Sequence, residues 1–580
     1  MADAVTSPHP QDAITAQLDR EGLERGVGFL GLLWSSEGSI IGSGWLFGAL
    51  TAVSIAGPSA LVAWGIASVI IIVLALVHAE LGGLFPVSGG TSRFPHYAFG
   101  SLAGATFGWF AYLQACSVAP IEVLAAIEYL STAKWASGLF NATYSTLTFP
   151  VGYVVAIGLM FFFVVVNLIG VRWLARVNNS ITTWKVLIPV LTFIILLATH
   201  FHSSNFSHGG GFFVKGDAFK AIVLAVPAGG IVFSLLGFEQ AVQLGGESRD
   251  PKLVPRAVIL SILIGAAIYI LVQIAFIGAL DPKLLAQAGT WTKLATPGHN
   301  AMLTALNSAP FYSVAKVAGL TWLAIILRID AVASPGGTGL IYLTSSSRIS
   351  YGLSKNGYIP QAFERNSART KVPVVGIVVT AFIGLLFLLP FPAWSKLVGV
   401  VTSASVLMYA GAPLAMGALR LQKPELPRPY RLPFGQVLAP LSFICANFII
   451  YWAGWPTYST LMVALALGFA LMGVSYALNL NPNRPEIDWA AAVWIFPYLI
   501  GMGIISYLGQ FPSPPTGILG GVGTFKNVLV GGTGDLPLYW DLLTLTVFSL
   551  VIYYLAIARR LPPRKVDHYV REVYPPPVTE

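Results

Sequence analysis

Residues 35–48 read SSEGSIIGSGWLFG, and this stretch decides the fold. Its flanks, Phe29 to Trp34 and Ala49 to Ile55, are apolar and read as one membrane-spanning helix. Yet Gly38, Gly42, Gly44 and Gly48 interrupt it, each weakening a helix by roughly 1 kcal/mol against alanine. Glu37 adds an acid at membrane depth. In hydrocarbon every backbone N–H and C=O needs an internal partner. Non-helical backbone is tolerated there only where it faces protein or a water-filled cavity. The glycines therefore predict a break that opens on a cavity.

Composition sets the frame. The 580 residues are 56% hydrophobic and 10% charged, with mean hydropathy +0.74, whereas soluble domains carry about 25% charged residues. The chain reads as an all-α, polytopic membrane protein. Fourteen apolar runs have spanning length, at about 27–53, 57–85, 98–130, 150–170, 181–199, 220–244, 257–279, 312–343, 372–390, 394–419, 437–453, 457–478, 489–508 and 538–558. The third and eighth are long for one span. Residues 1–26 are polar, with Asp12, Asp19, Glu21 and Arg25 among them, and read as a soluble tail, not a signal peptide. Cys116 and Cys445 fall in apolar runs, so no disulfide framework is indicated.

The net charge of +9 raises the possibility of nucleic acid, but its placement argues for topology. With the N-terminus inside, the inner loops and tails hold 24 of the 33 Lys and Arg, including Arg172, Arg176, Arg348 through Lys371 and Arg420 through Arg431. The outer loops hold only lysines, such as Lys134, Lys215, Lys283 and Lys526. This positive-inside bias places both termini in the cytoplasm of a multi-pass cell-membrane protein.

A second weakened span matches the first. Span six reads AIVLAVPAGGIVFSLLGFEQAVQLGGE, with Pro227, Gly229, Gly230, Gly237 and a mid-span Glu239. Spans one and six are five apart and so cross in opposite directions. Two broken helices at matching positions of two five-helix units are what a 5+5 inverted-repeat transporter core requires. The organisation follows: an N-terminal tail 1–26, repeats at 27–199 and 220–419, four further helices at 437–558 and a cytoplasmic tail 559–580.

These residues resemble the amino acid–polyamine–organocation superfamily. GSIIGSGWLFG (38–48) and FSLLGFEQ (233–240) carry the likeness, with HAELGGLFPVSGGTSRFP (78–95) and GGESRDPKLVPRAV (245–258) in agreement. DAVASPGGTG (330–339), SSSRISYGLSKNG (345–357), LPFPAW (389–394) and PLSFICANFIIYWAGW (440–455) most resemble proton-coupled aspartate symporters. The resemblance implies amino acid transport, use of both helix breaks for the substrate, and an aromatic gate at Phe238.

Site chemistry reads as follows. The N–H groups of Ser43, Gly44 and Trp45 lie at the positive end of a half-helix beginning near Trp45, a ready carboxylate site. Gly42 and Gly44 allow backbone approach without a Cβ. The first half-helix ends near Ile41, which leaves carbonyls such as that of Ile40 for an ammonium. In span six, Gly237–Glu239 should supply the carbonyls of Leu235 and Leu236 and the Phe238 ring. The alternative is that the glycines only permit close helix packing.

Four titratable groups are proton-coupling candidates. Glu37 and Glu239 should face the cavity or be protonated, as binding or proton-carrying groups; otherwise each holds the break by a structural hydrogen bond. Lys185 precedes Pro189, whose missing N–H frees the Lys185 carbonyl. The family likeness implies that a lysine here replaces the ion of sodium-driven relatives; the alternative is a snorkelling side chain. Asp330 shares a face with Ser334. Arg328 is the one arginine inside a span and suits a second carboxylate bidentately, or else pairs with an acid such as Glu122. His78 and Glu80 read as solvated interfacial residues, and Trp452 and Trp455 as an aromatic belt.

Other classes lack their signatures. His200 and His202 have no matching acid nearby to form a metal site, and no phosphate-cradling loop appears. The chain is expected to be no enzyme and to use no cofactor or metal. Its expected partners are an amino acid, a proton and the bilayer, with no nucleic acid. The reading is a secondary active permease, an amino acid:proton symporter for an acidic substrate such as aspartate. The alternative is an importer or exchanger of cationic amino acids or polyamines, with Glu37 and Glu239 facing the substrate's positive groups.

Overall fold

The computed structural model describes residues 26–169, 171–295, 301–367, 372–483, 485–511 and 531–573, the side chains of 171–178 and 572–573 excepted. The N-terminal tail to Arg25, the Arg172 and Arg176 side chains, Lys526 within the Gly/Pro-rich loop and the last residues from 574 lie outside them.

Span one breaks where expected. Helix Phe29–Ile40 ends, Ile41 and Gly42 are extended, and a new helix runs Ser43–Ala56. The break sits two residues earlier than the Trp45 start inferred from sequence, because Gly42 and not Gly44 supplies the extended backbone. A short turn, Gly57–Ser59, leads directly into span two, Ala60–Leu84. Span six is interrupted twice. Ala218–Ala228 stops at Gly229–Gly230, with Gly230 at φ +74°. Ile231–Ser234 then stops at a turn that returns to helix at Gln240, with Gly237 at φ +126° inside it.

The remaining spans follow the apolar runs. They are Ser101–Leu130, Val151–Ile169, Val171–Thr199, Leu253–Ala279, Thr321–Lys355, Val374–Phe387, Trp394–Gln422, Gly435–Trp452, Trp455–Ala477, Trp489–Ala492 continued by Ile495–Leu508, and Trp540–Arg559. Spans three and eight are each a single helix. Among the described residues eleven helices are long and apolar enough to cross a membrane, the first of them joining half of span one to span two. The apolar windows of spans three and ten are 94% buried, whereas spans four, five, twelve and fourteen bury a third or less of theirs. Apolar residues all round thus mean different things: protein on every side for the first pair, bilayer on most sides for the others.

Two expectations need correction. His78 and Glu80 are fully buried: Glu80 accepts from Arg420 and from the Leu432 N–H, and also pairs with Arg428. Trp452 is buried and stacked on Phe448, not in a belt. Within the C-terminal tail, helix Pro563–Val573 docks on the helix Gly90–Phe99 that links spans two and three. Spans thirteen and fourteen pack on the core through buried polar contacts, Asn447 to Ser549 at 2.9 Å and Tyr498 to Asn447 at 2.8 Å.

Candidate functional site

The second half of span one begins with unpaired backbone N–H groups, as any helix does. A side chain takes the first of them. Glu122, on span three, accepts the Ser43 N–H at 2.9 Å and the Ser43 hydroxyl at 3.1 Å. At the helix start where the sequence suggested a seat for a substrate carboxylate, a carboxylate of the protein itself is bound. Trp394, at the start of span ten, donates from its indole to Ser43 Oγ at 2.8 Å. Its ring stacks on Phe47 and meets Phe233 edge-on, at centroid distances of 5.1 and 5.8 Å.

Beside this seat lies a small cavity. The breaks of span one provide Ile40, Gly42 and Gly44, span three provides Val118 and Glu122, span six Phe233 and Leu236, and span eight Thr338 and Tyr342. The glycines are needed by geometry. A Cβ at Gly42 would lie 2.7 Å from Thr338 Oγ1 and 2.8 Å from Glu122 Oε1, and one at Gly44 would lie 3.0 Å from Ser234 Cα.

The carbonyls released by the break are spoken for by neighbouring spans. Tyr269 donates to Ile40 at 2.7 Å, and Ser334 and Thr338 donate to Ile41 at 3.3 and 3.4 Å. Lys185 is fully buried and donates to the Gly38 carbonyl and to Thr338 Oγ1. A cation thus closes the end of the first half-helix, where the dipole is negative. Glu122 and Asp330 both lie within electrostatic reach of it. Asp330 accepts from two indoles, Trp45 at 3.1 Å and Trp184 at 2.9 Å.

Glu239 stands apart from the cavity wall. It accepts the Gly237 N–H at 2.9 Å, the Tyr342 hydroxyl at 3.0 Å and the Tyr409 hydroxyl at 2.6 Å. Its partners are those of a side chain that holds the break of span six. Phe238 lies behind it, between His78 and Tyr409, and does not line the cavity. Leu235 is likewise in the turn behind Leu236. Glu37 is buried, and neither of its oxygens has a hydrogen-bond partner among the described residues. Arg328 and Glu122 do not pair: the Arg328 guanidinium lies over the Tyr312 ring at 4.3 Å.

The reading from sequence thus missed two side chains at the seat. Glu122 is an acid inside an apolar 30-residue helix, a signal that was visible but weighed only as a partner for Arg328. Trp394 lies in LPFPAW, quoted for likeness and not for chemistry.

A family model described as amino acid permease matches residues 27–505. The chain is 34% identical to the glutamate/serine transporter AimA of Bacillus subtilis (strain 168), over 92% of this chain and 94% of that one. It is 32% identical to the aspartate-proton symporter of the same organism, over 94% and 98% of the two chains. It is 25% identical to the branched-chain amino acid permease BcaP of that organism, over 80% and 95%.

Proposed function

The chain belongs to the amino acid permease family, a family of multi-pass membrane transporters and not of enzymes, and on that premise we propose that it carries an acidic amino acid such as aspartate together with a proton. Both named functions, aspartate–proton symport and glutamate/serine transport, belong to relatives that match nearly the whole chain. One observation carries the reading: at the break of span one a carboxylate already sits on the helix N-terminus, beside a cavity made by both broken spans. The α-carboxylate of the substrate takes the adjoining N–H groups of Gly44 and Trp45, and the ammonium takes carbonyls of the two breaks, the candidates being the remaining lone pair of Ile40, beside its bond from Tyr269, and Leu236, both residues that line the cavity. Alternating access then rocks one helix bundle about this site, with both termini in the cytoplasm.

The proton is held by the buried titratable groups around the break, where Lys185 is in electrostatic reach of both Glu122 and Asp330. The cationic-substrate alternative loses support, because Glu37 and Glu239 both lie outside the cavity wall. Uptake of labelled L-aspartate into proteoliposomes tests the proposal. An inward proton gradient should stimulate uptake, and acidic amino acids should compete while arginine and putrescine do not. Competition by the cations instead would overturn it.

A further inference from the structure

The cavity wall presents a difficulty for an acidic substrate. The second carboxylate of such a substrate needs a cation or a proton, because an unpaired charge in a dry site is strongly disfavoured. Arg328, the arginine suited to read it, lies over Tyr312. Lys185 is the cation nearest the wall, and it is already bonded to Gly38 and Thr338. Two carboxyl groups, Glu122 and Asp330, are within electrostatic reach of it. With all three charged, the cluster is already one negative charge in excess, and an incoming carboxylate would add another.

The other groups around Glu122 supply no positive charge. Span one gives the Ser43 N–H and hydroxyl, span seven gives Tyr269, and span eight gives Thr338 and Tyr342, while its Asp330 accepts from the Trp45 indole. Span ten gives Trp394 through Ser43, and Glu37, an acid on span one, is within electrostatic reach of Tyr269. Two carboxyl groups brought together in such a place cannot both ionise, and the stable arrangement is a pair that shares one proton.

We propose that Glu122 recognises an acidic substrate by sharing one proton with its side-chain carboxyl, so that the contact that selects the substrate also requires the coupled proton. The proton enters from solution with the substrate and forms one O–H···O bond between the two carboxyl groups. It leaves when the substrate does, and no other bond is made or broken. A neutral substrate such as serine instead donates its hydroxyl to ionised Glu122 and needs no proton at this contact. The inference rests on the amino acid reading above and goes beyond it in naming the proton's place and its dependence on the substrate.

Calorimetric titration of the full-length protein, in buffers of different ionisation enthalpy, tests it directly. L-aspartate, L-asparagine and L-serine are the ligands, across about pH 5.5 to 7.5, a range chosen to cover a raised carboxyl pKa. Aspartate should bind with close to one more proton than serine or asparagine, and its affinity should fall by up to roughly tenfold per pH unit while theirs stays level. In Glu122→Gln the aspartate slope should vanish, since the amide donates to the ionised substrate without a proton, while serine, which loses its ionised acceptor, should bind more weakly than in the wild type and still without a pH slope. Equal proton counts for all three ligands would overturn the proposal, as would an aspartate slope unchanged in Glu122→Gln. If that variant does not fold, the wild-type proton counts alone decide. Binding of none of the three by the wild type would instead overturn the amino acid reading itself.

Discussion

Arg328 and Glu122 exchange the roles that their chemistry first suggests. A guanidinium at membrane depth invites a substrate carboxylate, yet here it stacks on Tyr312, 4.3 Å from the ring centroid. Such a contact contributes about 0.5–2 kcal/mol and none of it involves the cavity. Arg328→Gln should therefore lower the thermal midpoint of the purified protein while changing the KM for aspartate uptake by less than about threefold. A KM raised by more than about thirtyfold, some 2 kcal/mol of binding, would place Arg328 at the substrate after all. Glu122 was legible only as an acid in an apolar run. Which way it points depends on where span three lies against span one, a long-range contact that no local pattern reports. The glycines of span one were readable for the opposite reason: their effect on the backbone is local, and the extended Ile41–Gly42 dipeptide is its direct result.

At the scale of the helix, the two breaks lean on each other. Gly237 sits at φ +126°, a conformation that side chains rarely adopt, and a Cβ there would lie 2.6 Å from the Ile40 N and 2.7 Å from the Ser39 carbonyl carbon. Backbone atoms cannot swing aside as a side-chain tip can. Gly237→Ala should therefore separate the two breaks, reducing aspartate uptake by more than about tenfold, a loss of some 1.4 kcal/mol or more in the transport step. Surface expression measured in parallel separates this from misfolding. The first interruption of span six, at Gly229–Gly230, was visible only as a glycine pair. There the Trp394 ring packs so closely that a Cβ at Gly230 would lie 2.8 Å from it.

The docked C-terminal helix gives a prediction in pH. His96 of the linking helix is buried, its ring meeting Tyr569 at 4.6 Å and its Nδ1 lying 2.5 Å from the Tyr358 hydroxyl. Burial, reinforced by the nearby charges of Arg93 and His568, pushes its pKa down to about 3 from 6.5. The undocked chain then binds more protons than the docked one, so stability here rises with pH and is lost as pH falls below about 6.5. Lys423 has the opposite sense. Its pKa is raised by its bond to Asp567, and that contribution is present below the ordinary lysine pKa and fades only at strongly alkaline pH. Limited proteolysis within 563–573 should accelerate between about pH 7.5 and pH 5.5, and His96→Asn should remove most of that dependence. Cleavage that is equally fast at both values would show that His96 does not report on docking.

Across the whole molecule, the cavity is closed at both ends by different chemistry. Toward the second half of span one the cover is aromatic: Trp394 on Phe47, and Trp45 on Phe311 at 5.3 Å. Toward the side where span one begins, and where every even-numbered span ends, the cover is charged. Arg348 pairs with Glu247 at 3.0 Å, both buried. The Glu247 carbonyl accepts the Val27 N–H at 3.1 Å, and the Val27 carbonyl accepts the Arg249 N–H at 3.0 Å. This ties the start of span one to the ends of spans six and eight. A buried ion pair is a good latch and a poor source of net stability, since its attraction is offset by desolvation. Removing one charge should therefore bias the equilibrium between closed and open forms more than it destabilises the fold. In a Cys116→Ser, Cys445→Ser background, Ser39→Cys places a thiol on the cavity wall. Adding Glu247→Gln should speed labelling of that thiol by a membrane-impermeant maleimide, applied from the span-one-start side, by roughly tenfold or more. Bound aspartate should slow it again. A labelling rate unchanged by Glu247→Gln would mean that the pair does not hold that end shut, and the Glu80–Arg420–Arg428 cluster at the same end would be the next latch to open.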